Sequence, residues 1–198
     1  MNIGLYFGSF NPIHTGHLII ASHILNEQKL SEIWFVISPQ NPLKKPGSLL
    51  NEHDRLNLVL KATEGETRLK ASTVEFKLPK PSYTIATLAY LEEKYPQHSF
   101  EIIMGSDSFE NITKWKNHEL LLKKYKILIY ERPGHPFKND HNANIEILKA
   151  PLLEISSTQI RELIRQEKSI RYMVPDAVKE EIERNNYYSV KLKNPAKN

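Results

Sequence analysis

The chain has no cysteine among its 198 residues, which excludes disulfides, thiol catalysis and cysteine-ligated zinc and suits a reducing compartment. It has no apolar run of membrane-spanning length, and Met1-Asn2 leads straight into the strand-like IGLYF without the basic and apolar regions of a signal peptide. A cytoplasmic protein with no membrane association is expected. The segment after the first apolar run lacks both G-x-x-x-x-G-K-[ST] and G-x-G-x-x-G, so neither a Walker loop nor a dinucleotide fingerprint is present there. A strong basic excess is also missing. The 27 Lys and Arg against 23 Asp and Glu leave a net charge of +4, enough to favour phosphorylated ligands but too diffuse to argue for nucleic acid. The densest basic segment, Lys191, Lys193 and Lys197, falls in a polar tail that is expected to be solvated.

The length and mixed composition are those of one globular domain with a buried core. Runs rich in branched and aromatic residues at 3–7, 33–37, 69–76, 100–104, 127–130 and 145–148 read as strands. Helical spacing falls mostly between them, at 18–25, 55–62, 85–91 and 120–122. Strands alternating with helices imply an α/β, Rossmann-like, doubly wound parallel sheet, with ligands beyond the carboxyl ends of the strands. Two more helices, 158–165 and 175–184, follow the last strand. Residues 150–190 are therefore expected to form a small helical cap on the sheet edge, within a single domain 1–198, and 191–198 a polar tail.

The stretch GSFNPIHTGH, residues 8–17, carries more than a strand-to-helix turn needs. Gly8 lets backbone approach a phosphate, Pro12 stiffens the turn, and Thr15 or Asn11 can cap the helix that follows. The start of that helix offers free N–H donors to an anion. His14 and His17, three residues apart, stand side by side on the first turn, where protonation would strengthen their hold on phosphate. A metal site of His14, His17 and His23 is disfavoured, because His23 is off their helix face and the segment has no carboxylate.

A second stretch, ISSTQIREL at 155–163, opens a helix with three consecutive hydroxyl residues. Ser156 and Gln159 have capping-box spacing. Arg161 lies in the first turns, where the helix dipole disfavours a cation unless an anion is near.

GSFNPIHTGH resembles the G-x-F-x-P-x-H-x-G-H signature of the HxGH nucleotidyltransferase superfamily, and ISSTQIR resembles its I-S-S-T-x-I-R signature. The segments KPSYTIATL (80–88) and MGSDSFENITKWKN (104–117) are similar to those of the bacterial nicotinate mononucleotide adenylyltransferases. The resemblance runs from Gly4 to about Val178. It implies transfer of the adenylyl group of ATP to nicotinate mononucleotide, giving nicotinate adenine dinucleotide and pyrophosphate in NAD biosynthesis. It also implies ATP contacts from Gly8, Ser9, Phe10, His14, His17, Gly105, Asp107, Ser156, Ser157, Thr158 and Arg161, with catalysis carried by His14, His17 and Arg161. On the acceptor side it implies Thr84 and Trp115 at the pyridine ring, with Lys44 and Arg132 as further candidates. Many relatives carry Pro-His-Lys where this chain has Pro42-Leu43-Lys44, so no histidine acts in that loop. Mg²⁺ is expected to arrive with ATP, held mainly by the triphosphate and not by a protein metal site. Three alternatives stay open: adenylylation of the amide mononucleotide, adenylylation of phosphopantetheine, and nucleotide binding without turnover. Assembly into a homo-oligomer is left open.

Overall fold

The computed structural model describes residues 1–40, 49–135, 139–151 and 153–189. Lys44 and the tail from 190 onward, on which two expectations fall, lie outside the described residues.

Six parallel strands, β1 (Asn2–Gly8), β2 (Glu32–Ile37), β3 (Leu69–Ser72), β4 (Ser99–Gly105), β5 (Ile127–Tyr130) and β6 (Ile145–Leu148), form one sheet in the order β3-β2-β1-β4-β5-β6. Among the described residues seven α-helices accompany them: α1 (Thr15–Glu27), α2 (Glu52–Ala62), α3 (Thr84–Lys94), α4 (Ser106–Phe109), α5 (His118–Lys124), α6 (Ser157–Arg165) and α7 (Asp176–Arg184). The sheet has the parallel, covered character expected from near-continuous apolar strands. Ile3, Leu5, Ile102 and Ile129 pack into one core cluster, while Tyr6, Phe35, Ile103 and Leu128 pack into the other. Alternate residues of each strand thus supply opposite faces. The order of strands reverses between β1 and β4, and their carboxyl ends, Gly8 and Gly105, flank the crevice where such sheets bind ligands.

Two expectations are corrected. The strand read over 69–76 ends at Ser72, and Val74–Lys77 winds into a 3₁₀ turn. The turn carries Glu75 inward, where its carboxylate accepts from the hydroxyls of Ser82 at 2.6 Å and Thr87 at 2.9 Å. A buried carboxylate needs such donors, and an extended edge strand does not bring them. The C-terminal helices also do not sit on the sheet edge. Val178 and Ile182 of α7 join the cluster that holds Leu58 and Val59 of α2, and Glu181 accepts from Asn57 at 2.8 Å. The chain beside α6 and α7 also meets the start of α1, where the Thr15 N–H donates to the Met173 carbonyl at 2.9 Å.

The connection between the sheet and its loops rests on Arg55. It occupies the inward face of α2 with Leu58 and Val59, the spacing of an apolar stripe, and is fully buried. Its Nε donates to the Leu50 carbonyl at 2.9 Å, its Nη1 to Ser9 at 2.6 Å and Ser38 at 2.9 Å, and its Nη2 to Pro39 at 3.3 Å. Burial lowers its pKa, and the ring of carbonyls is what makes the charge tolerable there. Arg55→Met, which keeps the side chain's length but strands these carbonyls, should lower unfolding free energy by at least about 3 kcal/mol. Urea unfolding checks this, and a loss under about 1 kcal/mol would show that the loops hold without the guanidinium.

Candidate active site

The loop after β1 is held in a conformation that most residues avoid. Phe10 has φ of 45°, the left-handed region disfavoured for a bulky side chain. This turn lays the Phe10 ring over Gly8, where a Cβ would stand 2.7 Å from the ring. Gly8 is therefore required by its own loop, because a side chain there would meet the Phe10 ring. The Phe10 ring in turn packs edge-on against His17, with centroids 5.2 Å apart, and against Phe35 at 5.4 Å. The loop's other end is tied by Asn11, whose side-chain carbonyl accepts the Leu50 N–H at 3.1 Å.

His14, and neither Thr15 nor Asn11, is the residue that precedes α1 in extended conformation. Its ring lies almost parallel to that of His17, with centroids 3.7 Å apart. The His14 N–H donates to Nδ1 of His17 at 3.3 Å, so in neutral His17 the proton sits on Nε2, a donor suited to an anion. Burial, with the nearby charge of Arg132 as a smaller cause, lowers the His14 pKa to about 4. The strengthening that protonation would bring is therefore not drawn from His14 at neutral pH. In the folded protein His14 is neutral at physiological pH, and its buried Nδ1 has no hydrogen-bond partner among the described residues. His14, Gly16, His17, Arg132 and Ile155 line one narrow cleft.

The second stretch docks on the first. Ser156 caps α6 as its spacing predicted, accepting the Gln159 N–H at 3.2 Å. Ser157 Oγ donates to the Pro12 carbonyl at 2.8 Å. Arg161 donates to the Asn11 carbonyl at 2.7 Å and to the Thr158 hydroxyl at 3.2 Å. These bonds use two of its five N–H donors and leave the rest for a ligand.

Beside this cleft is a cavity of about 440 Å³, within the range of small-molecule sites. Gly8 and Gly105 line it at the strand ends, and Thr84 and Trp115 line it together, although 31 residues of chain separate them. Tyr130 lines both the cavity and the cleft. Its hydroxyl accepts from Tyr6 at 2.9 Å and from Arg132 at 3.3 Å. Asp107, in the first turn of α4 two residues after Gly105, lies 3.8 Å from Arg132 Nε. Arg132 is thus placed with Asp107 and the two histidines, not among the residues lining the Thr84–Trp115 cavity. Ser9 contributes its carbonyl to Arg55.

Sequence reasoning missed Arg55, Glu75 and the Tyr6–Tyr130 pair. Arg55 had a signal, a cation at an apolar-stripe position of a predicted helix. Glu75 was hidden inside a run read as strand. The tyrosines looked like ordinary strand residues. Glu75 lines the 440 Å³ cavity, and burial raises its pKa while its hydroxyl donors oppose that rise.

Comparison with known proteins places this geometry. The family model for cytidylyltransferase-like proteins matches residues 5–163. A probable nicotinate-nucleotide adenylyltransferase of Cytophaga hutchinsonii is 52% identical over 191 residues, covering 96% of this chain and 99% of the relative. One from Flavobacterium johnsoniae is 47% identical over 95% of this chain and 99% of its own length. Among solved structures, Plasmodium falciparum nicotinic acid mononucleotide adenylyltransferase complexed with NaAD superposes with a TM-score of 0.81 at 24% identity, covering 94% of this chain and 97% of that one, a likeness of fold.

The neutral, buried His14 makes stability depend on pH with a definite sign. Between about pH 6.5 and 4 the unfolded chain binds a proton that the folded ring refuses, so stability falls as pH falls through that window, by up to about 3 kcal/mol. His14→Gln removes the titration, and its stability between pH 6.5 and 4 should be correspondingly flatter. Parallel curves for the two proteins would show that the ring accepts the proton in place.

Proposed function

The chain belongs to the nicotinate-nucleotide adenylyltransferase family of cytidylyltransferase-like proteins, and on that premise we propose that its crevice joins ATP to nicotinate mononucleotide. The products are nicotinate adenine dinucleotide and pyrophosphate, a step of NAD biosynthesis. The observation that carries the reading is the meeting, at Tyr130, of a donor-lined cleft and an aromatic-walled cavity. The donors of the first suit phosphate oxygens reaching its mouth, and the second suits a pyridine ring, with the reacting phosphorus between them.

The 5′-phosphate oxygen of the mononucleotide attacks the α-phosphorus of ATP; a P–O bond forms there as the bond to the β-phosphate oxygen breaks, and pyrophosphate leaves with the electron pair. A phosphate needs no side-chain base to act as nucleophile, so the protein's part is to position both substrates and stabilise spreading charge. We assign the His17 Nε2–H, neutral His14, the spare donors of Arg161 and the N-terminus of α6 to the triphosphate. Arg132, through its place beside His14 and Asp107, belongs to the same anion, and Asp107 to the ribose hydroxyls. Trp115 and Thr84 take the pyridine ring, for which an indole face and the N-terminus of α3 are suited. Lys44 remains a candidate for the acceptor phosphate. Mg²⁺, held mainly by the triphosphate itself, would supply neutralisation of charge on the leaving pyrophosphate. The described residues hold no cluster of three or more His, Asp or Glu side chains that would compete for it.

Purified protein incubated with ATP and Mg²⁺ should convert nicotinate mononucleotide in preference to its amide and to phosphopantetheine, with products resolved by chromatography. Adenylylation of a different acceptor would overturn the assignment of Thr84 and Trp115 while leaving the ATP cleft in place. His17→Ala should lower kcat about a hundredfold, as loss of a transition-state donor does. Trp115→Ala should raise KM for the mononucleotide about tenfold and leave KM for ATP little changed. A rise confined to ATP would put the adenine, not the pyridine, on Trp115.

A further inference from the structure

A second cavity, of about 370 Å³, lies against the edge strand β3, between β2, the 74–77 turn and the C-terminal half of α3. Neither 8–17 nor 155–163 contributes to it. Its lining combines three aromatic rings, Trp34, Tyr90 and Tyr95, with three ammonium groups, Lys70, Lys77 and Lys94. Trp34 and Tyr95 are half-buried and meet edge to face at 5.6 Å, which leaves ring surface for a planar guest. Lys94 Nζ stands 5.1 Å from the Tyr95 ring centroid and 5.8 Å from that of Tyr90, so a cation is already held beside the rings.

The three ammonium groups exceed the one carboxylate, Glu32, that lines the cavity with them. Elsewhere lysines are paired, Lys80 with Glu52 and Lys126 with Glu146, but among the described residues no ion pair joins Lys70, Lys77 or Lys94 to a carboxylate. Glu32, the acid that lines the cavity, accepts the Trp34 indole N–H at 2.8 Å. A lysine on an edge strand also guards against strand pairing, which accounts for Lys70. It does not account for Lys77 and Lys94, which lie on the turn and on α3.

We propose that this cavity is a second ligand site, for an aromatic phosphate: a mononucleotide whose ring stacks among Trp34, Tyr90 and Tyr95 and whose phosphate is held by Lys70, Lys77 and Lys94. Its volume falls within the range of small-molecule sites. Stacking on aromatic faces accepts any base, and three ammonium groups supply the point charges a phosphate requires.

The chain has two tryptophans, one in each cavity, which separates the sites optically. In Trp115→Phe, Trp34 is the sole indole, and its emission is followed on titration with AMP, nicotinate mononucleotide, adenosine and inorganic phosphate. AMP or nicotinate mononucleotide should change the emission saturably with Kd below about 1 mM, and whichever binds tighter identifies the source of the ring. Adenosine should bind at least about tenfold more weakly than AMP. Adding Lys70→Glu, Lys77→Glu and Lys94→Glu should abolish the response while far-UV circular dichroism is unchanged; the three side chains are exposed, and Lys77→Glu alone serves should the triple variant misfold. The proposal is overturned by no saturable change up to about 10 mM, by adenosine binding as well as AMP, or by a response that survives the charge reversals.

Discussion

The guanidinium of Arg55 determines where the loops of the crevice can lie. It reaches from α2 to the carbonyls of Ser9 and Ser38, one after β1 and one after β2, and to Pro39 and Leu50 besides. Carbonyls at the carboxyl ends of adjacent strands point into a region from which water is excluded, and each needs a donor. One planar cation satisfies four of them. With Ser9 pinned, Phe10 is driven into the left-handed region, its ring covers Gly8, and His17 packs on its edge. Asn11 and Pro12 then present the carbonyls on which Arg161 and Ser157 dock. The stretches 8–17 and 155–163, 145 residues apart between Pro12 and Ser157, are joined through a chain of contacts that begins at a residue in neither.

This order of construction explains how the crevice handles charge. A cleft for a polyphosphate could use imidazolium groups, but His14 is buried beside Arg132 and both effects favour its neutral form. Positive potential comes instead from Arg132 and Arg161 and from the starts of α1 and α6. Arg161 spends two donors on protein and so keeps a fixed orientation before ligand arrives. Donors fixed in advance cost little reorganisation when charge develops on a transferring phosphoryl group, which is where electrostatic catalysis is most effective. A neutral His14 fits the same logic, since no charged ring there pays a desolvation penalty.

Much of this was legible in the sequence, for reasons that differ by residue. Alternation of apolar runs gave the parallel sheet and five of six strand cores, because buried strands need branched residues irrespective of their neighbours. The pairing of GSFNPIHTGH with ISSTQIREL was readable because each held more glycines, histidines or hydroxyls than local structure requires. What escaped depended on partners distant in sequence. That Gly8 is also demanded by the Phe10 ring could not be read locally, because nothing in the sequence reveals that Phe10 folds back on it. Glu75 looked like a strand residue because its hydroxyl donors, Ser82 and Thr87, come from a different element. The lowered His14 pKa was not legible because burial, set by the fold, is its main cause.

Glu75 also bears on how the two cavities relate. Through Ser82 and Thr87 it ties the 74–77 turn to the first turns of α3, and it faces the cavity of Thr84 and Trp115. Val74 and Lys77 of the same turn, and Tyr90 and Lys94 of the same helix, face the other cavity. Any ligand that draws Lys77 and Lys94 together therefore pulls on the two elements that Glu75 couples, and Thr84 stands at the head of one of them. Contiguity alone does not make an allosteric device, because coupling needs an element with two arrangements that both ligands bias. The turn is where such an element would have to be. A short 3₁₀ segment held by two hydrogen bonds to one buried carboxylate can change its arrangement only by breaking them, and breaking them would leave a partly desolvated charge beside the acceptor cavity.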